Sequence, residues 1–197
     1  MNVEPEVPSS AEGTAADFVR LWAEAVVRQA QRSREANRRS EVDDRMYERN
    51  DGPALMGAIN EETLRDNWRT AWAEEQTLIW AAHQLERWQA RLAKERGLKA
   101  PQQNESLRLI RNALEHLDEL DLDEGWAVLP EGLTPKQAKR MAISSLPDNM
   151  LSLNRPIQTK VLDPELVTTE ALNVVAAVQD VLNDLALQHF LDLQRGK

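Results

Sequence analysis

Apolar side chains recur at helical spacing through most of this 197-residue chain, and period-two alternation is scarce. Phe18, Leu21, Trp22, Ala25 and Val26 make the first apolar face, on a helix expected to open near Thr14 as N-cap. That face fades after Ala30, and the stretch to Asn50 is helical by propensity but polar nearly all round, until Asp51-Gly52-Pro53 breaks it. A second helix opens at Asn60, with Glu61 and Glu62 in its first turn. Its face carries Leu64, Trp68, Ala71, Trp72, Leu78, Ile79, Ala82 and Leu85, and Gly97 and Pro101 end it. Trp80 and Trp88 lie off this face, so each needs a second contact surface or stays partly exposed.

A third helix is expected from about Asn104 to about Leu120, with Leu107, Ile110, Ala113, Leu114 and Leu117 as its stripe. The acidic stretch Asp121 to Gly125 closes it, and a connector with Trp126, Pro130 and Gly132 follows. Thr134-Pro135-Lys136-Gln137 has the form of a capping box with proline at the first helical position, and it opens a short helix ending by Pro147. Residues Asn149 to Lys160 read as irregular, or as a brief extended pair around Pro156. A long core helix then starts at Asp163-Pro164, with Val167, Ala171, Val174, Val175, Val178, Leu182, Leu185, His189 and Leu193 on one face. The expected fold is all-α, an up-and-down helical bundle of four main helices plus one short helix. Residues 1–13 form a flexible N-terminal arm and residues 14–197 a single domain in this reading.

Composition narrows the setting. The absence of cysteine excludes disulfides and thiolate zinc sites and fits a reducing, cytoplasmic compartment. No run approaches the apolar length of a membrane span. The first twelve residues, with Glu4, Pro5, Glu6 and Pro8, lack the basic start and apolar run of a signal peptide. A net charge of −9 argues against broad electrostatic binding of nucleic acid, while leaving room for a local basic strip. Five arginines lie between Arg28 and Arg39 against one acid, Glu35, and of these Arg28, Arg32 and Arg39 fall near one helical face. They are candidate RNA-phosphate contacts, or a solvated face balanced by Glu24, Glu35 and Glu41.

The candidate chemistry lies in Arg111-Asn112-Ala113-Leu114-Glu115-His116. On a regular helix residues five apart differ by about 140°, so Arg111 and His116 flank the leucine stripe rather than stacking. Asn112 and His116 are four apart and share a face, and Arg108 and Glu115 lie on the same outer surface. An arginine can hold a phosphate bidentately and offset charge developing on it. An imidazole can exchange a proton near neutral pH. The amide can orient either partner. In RNA the 2′-hydroxyl is a built-in nucleophile, so the pattern calls for no metal and no cofactor.

These six residues resemble the R-x4-6-H motif of the HEPN superfamily, the higher eukaryote and prokaryote nucleotide-binding helical domains, in which a polar residue such as Asn112 commonly follows the arginine. The resemblance implies an all-α bundle, and a metal-independent endoribonuclease of a bacterial defence or toxin–antitoxin type system. It implies Arg111 and His116 as catalytic, Asn112 as supporting, and a homodimer in which two such segments meet over one RNA strand. A cognate antitoxin or regulatory protein is a further implied partner. The segment from Asp121 to Lys197 is longer than a minimal member carries.

The competing reading pairs Arg111 with Glu115 on a solvated face, makes His116 an ordinary boundary residue, and leaves a non-enzymatic helical protein–protein interaction module. His189, centred on an apolar face, is expected to be a core histidine with a hydrogen-bond partner. His83 sits at the border of the second helix, from where it could approach His116 across the bundle. The run Asp118, Glu119, Asp121, Asp123, Glu124 lacks the twelfth-position ligand of a calcium loop and reads as a solvated acidic loop. Trp80, if exposed, is a candidate for a dimer contact or for base stacking.

Overall fold

The computed structural model describes residues 10–49, 59–138, 141–146, 148, 150–153 and 164–194, with the side chains of Ser10, Ala142, Pro164, Leu182, Leu185, Ala186, His189, Asp192 and Leu193 outside that description. Its frame is a pair of long helices, α1 (Ser10–Arg49) and α2 (Glu61–Glu95), which form the largest interface in the molecule. Asn60 caps α2 as expected, its side-chain oxygen accepting from the Thr63 amide at 2.9 Å. At the other end Gly97 takes φ +66°, and the Leu98 amide donates to the Ala93 carbonyl at 2.8 Å. Glycine enters this left-handed conformation without steric cost, so the terminal carbonyls are satisfied as the chain turns away.

α1 begins at Ser10, ahead of Thr14, and Glu12 in its first turn pairs with Arg96 at 2.7 Å. Its buried line is Ala15, Val19, Ala23, Val26 and Ala30, with Gln29 and Ser33 also buried. This corrects the expected face: Leu21 is exposed and Phe18 is partly so, with Trp22 and Ala25 at the margin. Small residues face inward because α2 offers Ala71, Ala81 and Ala82 in return, and two alanine-lined helices approach closely. Leu78 and Ile79 fill the space between them, each contributing about 1.5–3 kcal/mol by its burial. Phe18 instead stacks on Trp88, ring centroids 4.2 Å apart, which gives Trp88 its second contact surface. Trp68, expected in the core, is half-exposed and donates from its indole to the Leu153 carbonyl at 2.9 Å.

α3 (Glu105–Glu115) is capped by Asn104, which accepts from the Leu107 amide at 3.1 Å. It ends at Glu115, short of the expected end near Leu120, and a 3-10 turn over Leu117–Glu119 follows. The acidic stretch then forms a hairpin. β1 (Asp121–Asp123) pairs antiparallel with β2 (Trp126–Val128) around Glu124 and Gly125, both at positive φ, as a two-residue hairpin turn requires. β3 (Met150–Ser152) adds to the far side of β2, with Ala127 opposite Leu151, and both are buried. The acidic segment is solvated, as expected, but as an edge strand rather than a loop. Thr134 and Gln137 make the predicted capping box at the start of α4 (Pro135–Ala138).

α5 (Pro164–Gln194) docks by its first half. Arg34 of α1 pairs with Glu165 at 2.7 Å, and Val167 and Ala171 are buried, with Val174 and Val175 packed partly against the core. In its second half the described apolar side chains Val181, Leu187, Phe190 and Leu191, none of them on the expected core face, are exposed, while Leu182, Leu185 and Leu193 of that face lie outside the described side chains. The expected core position of His189 lies outside the described side chains. The fold is all-α with one small three-stranded sheet. No described helix is long and apolar enough to cross a membrane.

Candidate functional site

Arg111 and His116 occupy two different environments. Leu107, Ile110 and Ala113 bury one side of α3 against the bundle, which leaves Arg111 at the seam between α3 and α2. The Arg111 side chain is only 25% exposed. One guanidinium nitrogen, Nη2, pairs with Glu115 one turn along, as the competing sequence reading expected. The other, Nη1, lies 3.2 Å from Nε2 of His83 on α2. Nε of Arg111 and Nδ1 of His83 are enclosed and make no hydrogen bond among the described residues. Trp80, one turn before His83 and largely exposed, inclines its ring toward the imidazole with centroids 6.5 Å apart.

Close approach to a guanidinium sets the state of the His83 ring. A protonated imidazole has no lone pair to offer Arg111, so the contact requires a neutral ring accepting at Nε2. Burial, first, and the positive charges of Arg111 and Arg87, second, lower the His83 pKa below the ordinary histidine value, while Glu115 opposes them weakly. His83 is therefore neutral at pH 7.

His116 sits elsewhere. It is the C-cap of α3, at φ −114° and ψ 22°, so the chain has already left helical geometry there. The expected mid-helix position of His116 is corrected accordingly. Its ring is 57% exposed and Nδ1 lies 2.9 Å from Glu119 on the following turn. No hydrogen bond links His116 to Arg111, Asn112 or His83 among the described residues. Asn112 is half-buried between the two ends and bonds to neither. Arg108 pairs with Glu105 on the solvated face, and this contact raises the arginine pKa further and lowers that of the glutamate.

Among the described residues the arginines of α1 make no hydrogen bond or ion pair with Arg111, His83 or Glu115. The contacts of Gln29 with Glu74 and of Phe18 with Trp88 bracket His83 along the antiparallel pair. His83 is thus level with α1 between Phe18 and Gln29, and Arg32 and Arg39 lie farther along toward the end of α1. Arg28 and Arg39 make loose pairs with Glu24 and Asp43, at 3.7 and 3.9 Å, and Arg32 is exposed. A polar cleft lined by Glu86, Gln89, Gln102, Gln103, Glu170 and Asn173 contains none of the motif residues. Among the described residues no three His, Asp or Glu side chains gather as a metal-binding group.

Structure joins Arg111 to His83 and Glu115, and leaves His116, Asn112 and the α1 arginines outside that cluster. Sequence reasoning sent His83 toward His116. The one local signal was a polar residue at the edge of the α2 stripe beside the off-face Trp80. Its pairing with Arg111 depends on how α2 and α3 cross, which no local spacing encodes. No protein-family model, curated protein or solved structure matches this chain.

Proposed function

We propose that this chain is a metal-independent, HEPN-like endoribonuclease that cleaves RNA by attack of a 2′-hydroxyl on the adjacent phosphorus, in a bacterial defence or toxin–antitoxin type system. The observation that carries the reading is the setting of Arg111, a partly sheltered guanidinium held between a neutral imidazole and a carboxylate, with Nε free of any partner among the described residues. A phosphate offers that guanidinium two charged acceptors in a matching plane, a better partner than one imidazole nitrogen. In this reading Arg111 holds the non-bridging oxygens and offsets charge in the transition state. His116, solvated at the end of α3, exchanges a proton with the reacting oxygens, and Asn112 orients the phosphate. Because His116 faces Glu119 rather than Arg111, the segment of a second protomer completes the site, which makes the working unit a homodimer around one RNA strand. Arg28, Arg32, Arg39 and Arg108 extend the phosphate contact beyond the scissile position.

The test is incubation of mixed-sequence RNA with the wild type and with His116→Ala in chelator. Cleavage by the wild type to 2′,3′-cyclic phosphate ends, with a loss of about 100-fold or more in the variant, supports the reading. Equal cleavage by both proteins, or none by either, removes it. One observation favours a second reading, a helical protein–protein interaction module: the distal half of α5 exposes Val181, Leu187, Phe190 and Leu191. A chain that leaves RNA intact, and whose oligomeric state changes with Leu187→Asp and Phe190→Asp, fits the module.

A further inference from the structure

We infer that His83 is the general base of the proposed RNA cleavage, taking the proton of the attacking 2′-hydroxyl at Nε2 once a bound phosphate has drawn Arg111 away. The inference rests on the ribonuclease reading above and adds to it a residue outside the Arg111-to-His116 segment.

Three features of the α2–α3 seam carry it. The first is contact: Nε2 of His83 is the atom that faces Arg111 Nη1 at 3.2 Å, so the lone pair points at the group expected to hold the phosphate. The second is protonation. Only a neutral imidazole can accept from a guanidinium, so His83 waits in the form a base needs. The third is exchange of charge. While Arg111 lies against Nε2 it holds the basicity of His83 down, together with burial and Arg87. When the guanidinium turns to a phosphate, the imidazole loses a cation contact and gains an anion neighbour. Both changes strengthen it as a base at the moment substrate arrives. The charged groups facing it are Arg111 and Glu115 from α3 and Arg87 from its own helix, with the Trp80 ring alongside. His116 has no such arrangement, being solvated and set against Glu119.

The step balances within the homodimer and the RNA. The 2′-hydroxyl gives its proton to Nε2 of His83 as its oxygen bonds to phosphorus. The bond from phosphorus to the 5′-oxygen breaks, and that oxygen receives a proton from His116 of the second protomer. The products are a 2′,3′-cyclic phosphate and a 5′-hydroxyl. His83 then releases its proton to water and His116 takes one up.

The experiment uses the full chain, mixed-sequence RNA and single-turnover conditions in chelator, with His83→Gln and His83→Ala beside the wild type. Glutamine can still accept the Arg111 hydrogen bond but cannot carry the proton. Both variants should melt close to the wild type, bind a non-cleavable 2′-deoxy strand as tightly, and cleave about 100-fold more slowly or worse. The acidic limb of the pH–rate profile should disappear, and added imidazole should restore part of the His83→Ala rate. Near-wild-type cleavage by His83→Gln overturns the inference and leaves the ribonuclease reading standing, since His83 then serves only to position Arg111. Loss of strand binding in both variants without imidazole rescue overturns it in the same way. No cleavage by the wild type overturns both.

Discussion

Arg111 and His116 belong to one short segment and differ in nearly everything that physical chemistry weighs. Arg111 lies inside regular helix, beside the buried Ile110, and meets a side chain from another element. His116 lies where the helix has stopped, is solvated, and among the described residues bonds only to its own next turn. The first environment is made by tertiary packing and the second by local chain geometry. A functional site needs groups held in place by something other than themselves. By that measure the Arg111 end is the better candidate, and His83 belongs to it.

Four measurements press on this contrast. Ile110→Ala, adjacent to Arg111 and fully buried, should cost about 2–5 kcal/mol in denaturant unfolding. A loss below about 1 kcal/mol would mean that α3 is not anchored where Arg111 stands. Arg111→Ala should lower RNA cleavage by about 100- to 1,000-fold, and Arg111→Lys should recover little of it, because lysine cannot form the two-pronged contact. Full activity in the lysine variant would reduce Arg111 to a point charge.

Acid should distinguish the two histidines. The folded-state pKa of His83 is lowered, so the unfolded chain binds more protons than the folded one as pH falls past the ordinary histidine value. The stability linked to His83 is fully present above that value and is lost as pH drops through the folded-state pKa. Melting temperature should therefore decline across this window, and the decline should flatten in His83→Gln. An unchanged slope in that variant would contradict the sheltered environment. The smallest effect belongs to His116→Ala and Glu119→Ala. Each should change stability by no more than about 0.5 kcal/mol, as exposed pairs do. A larger cost would show that this end too is held by tertiary contacts.

The elements legible in sequence were those fixed by local chemistry. Asn60, Asn104 and the Thr134–Gln137 box bond to amides three residues away, so their geometry follows from spacing alone. The inward face of α1 was misread because large apolar side chains weigh most in a periodicity argument. Packing instead chose Val19, Ala23 and Ala30 and left Leu21 outside, since close helices need small residues between them. The β1–β2 hairpin was hidden by its acidity. Glu124-Gly125 is a hairpin turn signal, yet Asp121 and Asp123 suggest solvated loop, and only pairing with β2 and β3 makes the segment extended.

Helix content, the caps, the absence of cysteine and the presence of Arg111 and His116 on either side of Asn112 were set by the sequence alone, because each is a property of residues within a turn or two. Tertiary structure decided which of those residues share a site. It set His83 against Arg111 and sheltered both. It also left the distal half of α5 with apolar side chains in the open. The reason is common to all of these: the crossing of α2 with α3, and the docking of α5, depend on how whole faces pack, and no short spacing along the chain carries that information.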